Sequence, residues 1–230
     1  MGYSRDMPLR NIVFANNEIY HVLNRGVASS PICHSPTYYK RLLKLIDFYR
    51  FANFSVSFSR YNGLSVEERN KFDKRLEEEG VPQVEIYAYC FMPNHFHILL
   101  KQLLDNGIVK FMSKFQDSYG KYFNLINNRS GPLFQSRFKA VRIENDEQFL
   151  HVSRYIHLNP SSSFLVKIHD LPLFKWSSFV DYLRNPQSTF INTKFILDLI
   201  GGRDKYQQFV FDQAEYQRQL HKIKHLVLES

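Results

Sequence analysis

Two apolar runs, residues 84–91 and 95–101, are separated only by Met92-Pro93-Asn94. So short a connection makes an antiparallel hairpin the natural solution, and Pro and Asn are suitable turn residues. Successive side chains on a strand point to opposite faces. In His95-Phe96-His97 the two imidazoles would therefore share one face, with Phe96 on the other. Such a pair supplies much of a metal site. The alternative is two structural histidines satisfied by their neighbours inside an apolar strand.

The rest of the chain sets this hairpin in a recognisable order. Residues 18–24 read as a strand ending at Arg25-Gly26. A helix is predicted over 36–51 from Tyr39, Leu42, Leu43 and Ile46 at three-to-four spacing. An extended piece is expected around Phe54, Val56 and Phe58. Ser65-Val66-Glu67-Glu68 has the pattern of a capping box opening a charged helix to about Glu79. After the hairpin, residues 105–127 form a long amphipathic pattern with Ile108, Phe111, Met112, Phe115, Tyr119, Tyr122 and Phe123 on one stripe. Residues 133–143 read as a strand, and Asn145 is a good N-cap for a helix expected to stop at Pro160. The first six elements make a ferredoxin-like βαββαβ pattern. This is an α+β fold, an antiparallel sheet with helices on one face, here followed by a C-terminal helical extension. The expected division is a domain over 1–160, with a charged insertion at about 62–82, and the extension over 161–230. Two helices are predicted in the extension, over 193–200 and 203–227.

Charge indicates the kind of partner. Thirty Lys and Arg against 22 Asp and Glu give +8 over 230 residues, and aromatic residues make up 16%. A basic, aromatic-rich chain suits single-stranded nucleic acid, where rings stack on bases and cations follow phosphates. A basic protein with no nucleic-acid role remains the alternative. With only Cys33 and Cys90, no CxxC pair and no disulfide framework is available. The polar N-terminus shows no secretory signal and no apolar run approaches the roughly 20 residues of a membrane span, so a cytoplasmic location is expected.

Tyr155 and Asn159 stand four apart in Arg154-Tyr155-Ile156-His157-Leu158-Asn159-Pro160, one turn from each other on a helix. Taken alone, Tyr155 is an ordinary half-buried aromatic. Beside the histidines it has a chemical use. A divalent metal held by two imidazoles and an amide oxygen could bind and polarise a phosphate, for which Mg²⁺ or Mn²⁺ is suited. Attack by the tyrosine would leave a covalent phosphotyrosine and a free 3′-hydroxyl. Arg137, Lys139 and Arg142 are expected to face one side of their strand as DNA phosphate contacts, or to form a solvated edge. Tyr119 and Tyr122 are candidates for base stacking on DNA, or for core packing. The basic C-terminal residues Arg218, Lys222 and Lys224 are weaker DNA candidates, or part of a dimer contact.

The segment Tyr89-Cys90-Phe91-Met92-Pro93-Asn94-His95-Phe96-His97 resembles the HUH motif of single-tyrosine, IS200-like transposases, in the branch of the REP-associated tyrosine transposases. The resemblance extends through Tyr20-His21-Val22-Leu23-Asn24-Arg25-Gly26 and Ser118-Tyr119-Gly120-Lys121-Tyr122-Phe123-Asn124 to Ser130-Gly131-Pro132-Leu133-Phe134-Gln135-Ser136-Arg137-Phe138-Lys139. It includes the Tyr155 segment and Trp176-Ser177-Ser178-Phe179. It implies a metal-dependent nuclease and strand transferase acting on single-stranded or hairpin DNA, as a monomer or homodimer. His95 and His97 match the metal-binding histidines and Tyr155 the nucleophile. Asn159 matches a third-ligand position that is glutamine in related transposases. A DNA-binding regulator that keeps the fold without cleaving is the competing expectation.

Overall fold

The computed structural model describes residues 13–53, 56–184 and 190–214. The residues Arg218, Lys222 and Lys224 lie outside this range. Strands β1 (Ile19–Arg25), β2 (Val84–Phe91), β3 (His95–Gln102) and β4 (Lys139–Arg142) form one antiparallel sheet in the order β2-β3-β1-β4. β1 and β3 are central. Helix α1 (Pro36–Tyr49) connects β1 to β2 across β3, and α4 (Gly107–Ile126) connects β3 to β4 across β1. These interlocked βαβ units are the ferredoxin-like arrangement that the element order predicts.

Parity on β3 decides where the core lies. Phe96, Ile98 and Leu100 are fully buried under α1 and α4, with the Phe96 ring edge-on to Phe115 of α4 at 5.4 Å and to Phe134 at 5.6 Å. The α1 positions Tyr39, Leu42 and Ile46 and the α4 positions Ile108, Phe111 and Phe115 are buried as their spacing predicts. A register shift between Ile86 and Ala88 inserts Tyr87 into β2. Val84 and Ile86 before it and Tyr89 and Phe91 after it thus all face the helices, because a bulge resets the two-residue period.

Helices α2 (Phe58–Asn62) and α3 (Val66–Glu79) precede β2. Phe58 opens α2 rather than ending an extended piece, and it packs edge-on to Phe48 at 5.2 Å. α3 has the expected capping box, with Ser65 and Glu68 bonding each other's backbone, and it buries no residue. The strand expected from 133 is shorter. Residues 133–138 form a loop with one bridge, Phe134 to Gly26, and β4 begins at Lys139. Gly26 is required there, since a Cβ would lie 2.2 Å from the Ser30 carbonyl oxygen.

Helix α5 (Asp146–Ser162) lies on the opposite face of the sheet, over β2 and β3. It does not stop at Pro160. Side chains support the carbonyls around the proline: Asn159 donates to the Tyr155 carbonyl at 2.9 Å and Ser162 to the Leu158 carbonyl at 3.1 Å. The extension contributes α6 (Phe179–Leu183), α7 (Lys194–Ile200) and α8 (Arg203–Phe211); a turn follows Phe211, and residues 215–227 of the second expected helix lie outside the described range. Its segment 176–178 closes the outer edge of β2: Phe91 N–H donates to the Trp176 carbonyl at 2.9 Å, and Ser178 N–H to that of Tyr89 at 3.0 Å. An edge strand otherwise presents unpaired backbone groups.

Replacing Phe96 with Ala should lower unfolding free energy by about 3–5 kcal/mol, through lost burial and a residual cavity. Val66→Ala on the exposed surface of α3 should change it by less than about 0.5 kcal/mol. Urea midpoints of the two variants check both figures.

Candidate active site

The histidine-bearing face of the sheet is built by strand register. β1 pairs with β3 so that Arg25 lies opposite His95, Leu23 opposite His97 and His21 opposite Leu99. Directly opposed residues share a face, and diagonal neighbours remain within reach of long side chains. His21 therefore stands beside His97, with its Nε2 2.9 Å from His97 Nδ1 and the rings stacked at 5.1 Å. The His95 and His97 rings are 5.0 Å apart. His95 Nδ1 donates to the Asn94 amide oxygen at 2.6 Å.

Helix α5 brings Tyr155 onto this cluster. Its ring is 5.6 Å from that of His97 and 6.1 Å from that of His21, edge-on to both. Tyr155 is 38% exposed, whereas His97 is 4% and Asn159 is 6% exposed. Burial raises the Tyr155 phenol pKa, while hydrogen bonding with the Asn159 side chain and the charge of Arg25 act to lower it. Burial holds the His97 imidazole well below its ordinary range, reinforced by His21, His95 and Arg25. His21 is lowered to about 4, again by burial. Both rings are thus neutral near pH 7, the state in which an imidazole nitrogen can offer a lone pair.

A second network holds α5 in place. His157 is fully buried, with Nδ1 2.7 Å from the Tyr206 hydroxyl of α8 and Nε2 2.8 Å from Ser178 Oγ. The Tyr206 hydroxyl donates to Ser153 at 3.0 Å, and Ser178 Oγ accepts from the Tyr89 N–H at 2.8 Å. Burial drives His157 down to about 3, keeping it neutral. This chain of bonds ties the tyrosine helix to the edge of β2 and to the extension.

The other expected contacts separate. Arg137 precedes β4 and lines a groove of about 590 Å³ between α4 and the loop 131–138, with Lys121, Gln116 and Asn124. Lys139 lies opposite Leu23, in the same cross-strand row as His97, and so shares the histidine face. Arg142 lies opposite Tyr20 on the other face and pairs with Glu18 at 2.8 Å. The expectation of one basic face fails because Lys139 and Arg142 are three residues apart, an odd number on a two-residue period.

Tyr119 is fully buried, its hydroxyl donating to the Ile32 carbonyl at 2.5 Å. It is a core residue and its ring has no open face for a base. Tyr122 is half-buried beside Tyr38, with the Arg41 guanidinium 4.7 Å from its ring, on the helix side of the sheet away from the histidines. Sequence reading missed Arg25 and His21 as site residues. Their positions four residues apart on one strand, and so on one face, were a visible signal, but which side chains they would meet depends on register.

The donor set suits an open metal site. With Nδ1 of each ring in a hydrogen bond, Nε2 is the nitrogen through which His95 and His97 would hold an ion. Among the described residues no group of three His, Cys, Asp or Glu could hold an ion. Two imidazoles fit an ion whose remaining positions go to an amide oxygen, water or a phosphate, as a catalytic site requires; a closed structural zinc site needs four protein ligands.

The family model described as "Transposase IS200 like" matches residues 64–159. Among solved structures, the chain is similar to a REP-associated tyrosine transposase bound to a REP hairpin. The TM-score is 0.52 and the identity 17%, covering 85% of this chain and 97% of that one. No curated protein gives a significant match.

His157→Ala removes one hydrogen-bond partner from each of the buried Tyr206 and Ser178 hydroxyls, and should cost about 2–4 kcal/mol of stability. Amide exchange should accelerate along α5 more than along β1. Equal protection of α5 in both proteins would mean that the network does not hold this helix.

Proposed function

We propose that this chain, whose residues 64–159 match the IS200-like transposase model, belongs to that family and cuts and rejoins single-stranded DNA, at or near hairpins, through a covalent link to Tyr155. The observation that carries this reading is the approach of the Tyr155 ring to the His95–His97 pair from a separate helix, 5.6 Å from the nearer imidazole. Nothing in strand packing alone requires a half-exposed phenol edge-on to the His97 and His21 rings, both kept neutral by burial.

The step is a phosphoryl transfer. The Tyr155 oxygen attacks the scissile phosphorus, and the bond from phosphorus to the 3′ oxygen breaks. The phenol proton is lost and the departing oxygen gains one, leaving a 5′-phosphotyrosine and a free 3′-hydroxyl. Attack by that or another 3′-hydroxyl reverses the step and joins strands. Burial raises the pKa of Tyr155, so its proton must be removed against that penalty. Asn159 and Arg25 favour the charged oxygen. His95 and His97, with Asn159 as the third donor, would hold Mg²⁺ or Mn²⁺. When bound, such an ion supplies Lewis-acid polarisation of the scissile phosphate. Arg25 beside His95, and Lys139 about 10 Å across the sheet from His97 at ordinary strand spacing, would receive flanking phosphates. Arg137, in the α4 groove, would follow the strand as it leaves.

The structural relative was solved with a REP hairpin, and a DNA hairpin with single-stranded flanks is the substrate proposed for this chain. No described helix is long and apolar enough to cross a membrane. The two buried cysteines are free thiols, which suits a reducing compartment, and a cytoplasmic location is part of this proposal.

With Mg²⁺ or Mn²⁺ and a library of hairpin oligonucleotides labelled at the 3′ end, the protein should form a labelled adduct that survives denaturing gels. Tyr155→Phe should form none, and His97→Ala or chelation should suppress it. Adduct formation by Tyr155→Phe would disprove the assignment of the nucleophile. Tight hairpin binding with no cleavage would instead identify a regulator. Arg25→Gln should weaken binding alike across sequences and reduce the slope of log affinity against log salt by about 0.7, the value for one lost phosphate contact to a single strand.

A further inference from the structure

His21 has no part in the chemistry above, yet it is buried against the ligand pair. We propose that His21 is a positioning residue that fixes the tautomer of His97. In this arrangement Nε2 of His21 accepts the proton on Nδ1 of His97 and leaves the lone pair of His97 Nε2 free for a divalent cation. The inference rests on the reading of His95 and His97 as metal ligands.

Proton counting supports it. A neutral imidazole carries one N–H and one lone pair. The 2.9 Å contact joins His97 Nδ1 to His21 Nε2, so one of these nitrogens holds the hydrogen. If His21 donated, His97 would carry its own proton on Nε2, where coordination must occur. If His97 donates, Nε2 is free. Only the second arrangement can bind a cation through the remaining nitrogen. His95 reaches the same state with a different partner. The Asn94 amide oxygen can only accept, so His95 Nδ1 carries the hydrogen. Metal-binding histidines characteristically donate their second ring N–H to such an outer acceptor.

The placement of His21 is set by backbone pairing. It lies opposite Leu99 and diagonal to His97 in the β1–β3 ladder, 8% exposed, with its ring 26° from parallel to that of His97. It also faces the Tyr155 ring at 6.1 Å. One side chain thus braces a ligand from below and borders the nucleophile.

The test is Mn²⁺ titration of the full chain, followed by electron paramagnetic resonance, together with nitrogen NMR of the histidine rings. Wild-type protein should bind Mn²⁺ and show His97 as the Nδ1–H tautomer. His21→Ala should bind about 10–100-fold more weakly and show mixed tautomers. His21→Gln, whose amide oxygen can accept the same hydrogen, should recover most of the affinity. His21→Phe, which fills space without accepting, should not. Melting of each metal-free variant separates folding from binding; should His21→Ala not fold, the Gln and Phe variants decide. Equal affinity in folded wild-type, Phe and Gln proteins would overturn the role of His21 while leaving the ligands in place. No Mn²⁺ binding by wild-type protein would overturn the ligand reading and this inference with it.

Discussion

The antiparallel ladder between β1 and β3 is the constraint on which the rest of the molecule depends. It joins the two central strands, and its register places His21 diagonal to His97 and Arg25 opposite His95. A shift by one residue would exchange the faces of β1. Tyr20 and Val22, now fully buried under the helices, would turn to the histidine side, and His21 would enter an apolar core with no imidazole to meet. Burial of Phe96 against Phe115 and Phe134 fixes β3 in the complementary sense. The apolar core and the polar cluster are therefore two consequences of one pairing.

The second requirement is a helix on the polar face. A ferredoxin-like sheet covered only by α1 and α4 would leave its histidines in water. Helix α5 and the extension change their surroundings: His97 becomes almost inaccessible and neutral, and Tyr155 is lowered onto it. The His157–Tyr206–Ser178 bonds make this docking specific, since each member is buried and costly to leave unpaired. The extension is thus part of what places the tyrosine, besides closing the edge of β2.

Much of the fold was legible because it depends on local periodicity. The hairpin, both crossover helices and the capping box at Ser65 follow from spacing within a few residues. Errors arose where a tertiary contact overrode a local signal. Pro160 did not end α5, which runs on to Ser162, with the Asn159 and Ser162 side chains bonding the Tyr155 and Leu158 carbonyls on its way. For Tyr119 the core alternative holds over base stacking: its ring packs against Phe123 and Phe134, and its hydroxyl bonds the Ile32 carbonyl. The basic triplet Arg137, Lys139 and Arg142 dispersed through parity and a strand that started late.

The sequence by itself determined the strand and helix order, the shared face of His95 and His97, and the family resemblance, since these reside in short-range patterns. Tertiary structure alone decided that His21 and Arg25 join that face, that Tyr155 reaches it from the far side of the chain, and that His157 anchors its helix. The physical reason is that register and helix docking are chosen by long-range burial and by pairing of buried polar groups, neither of which is encoded in the spacing of neighbouring residues.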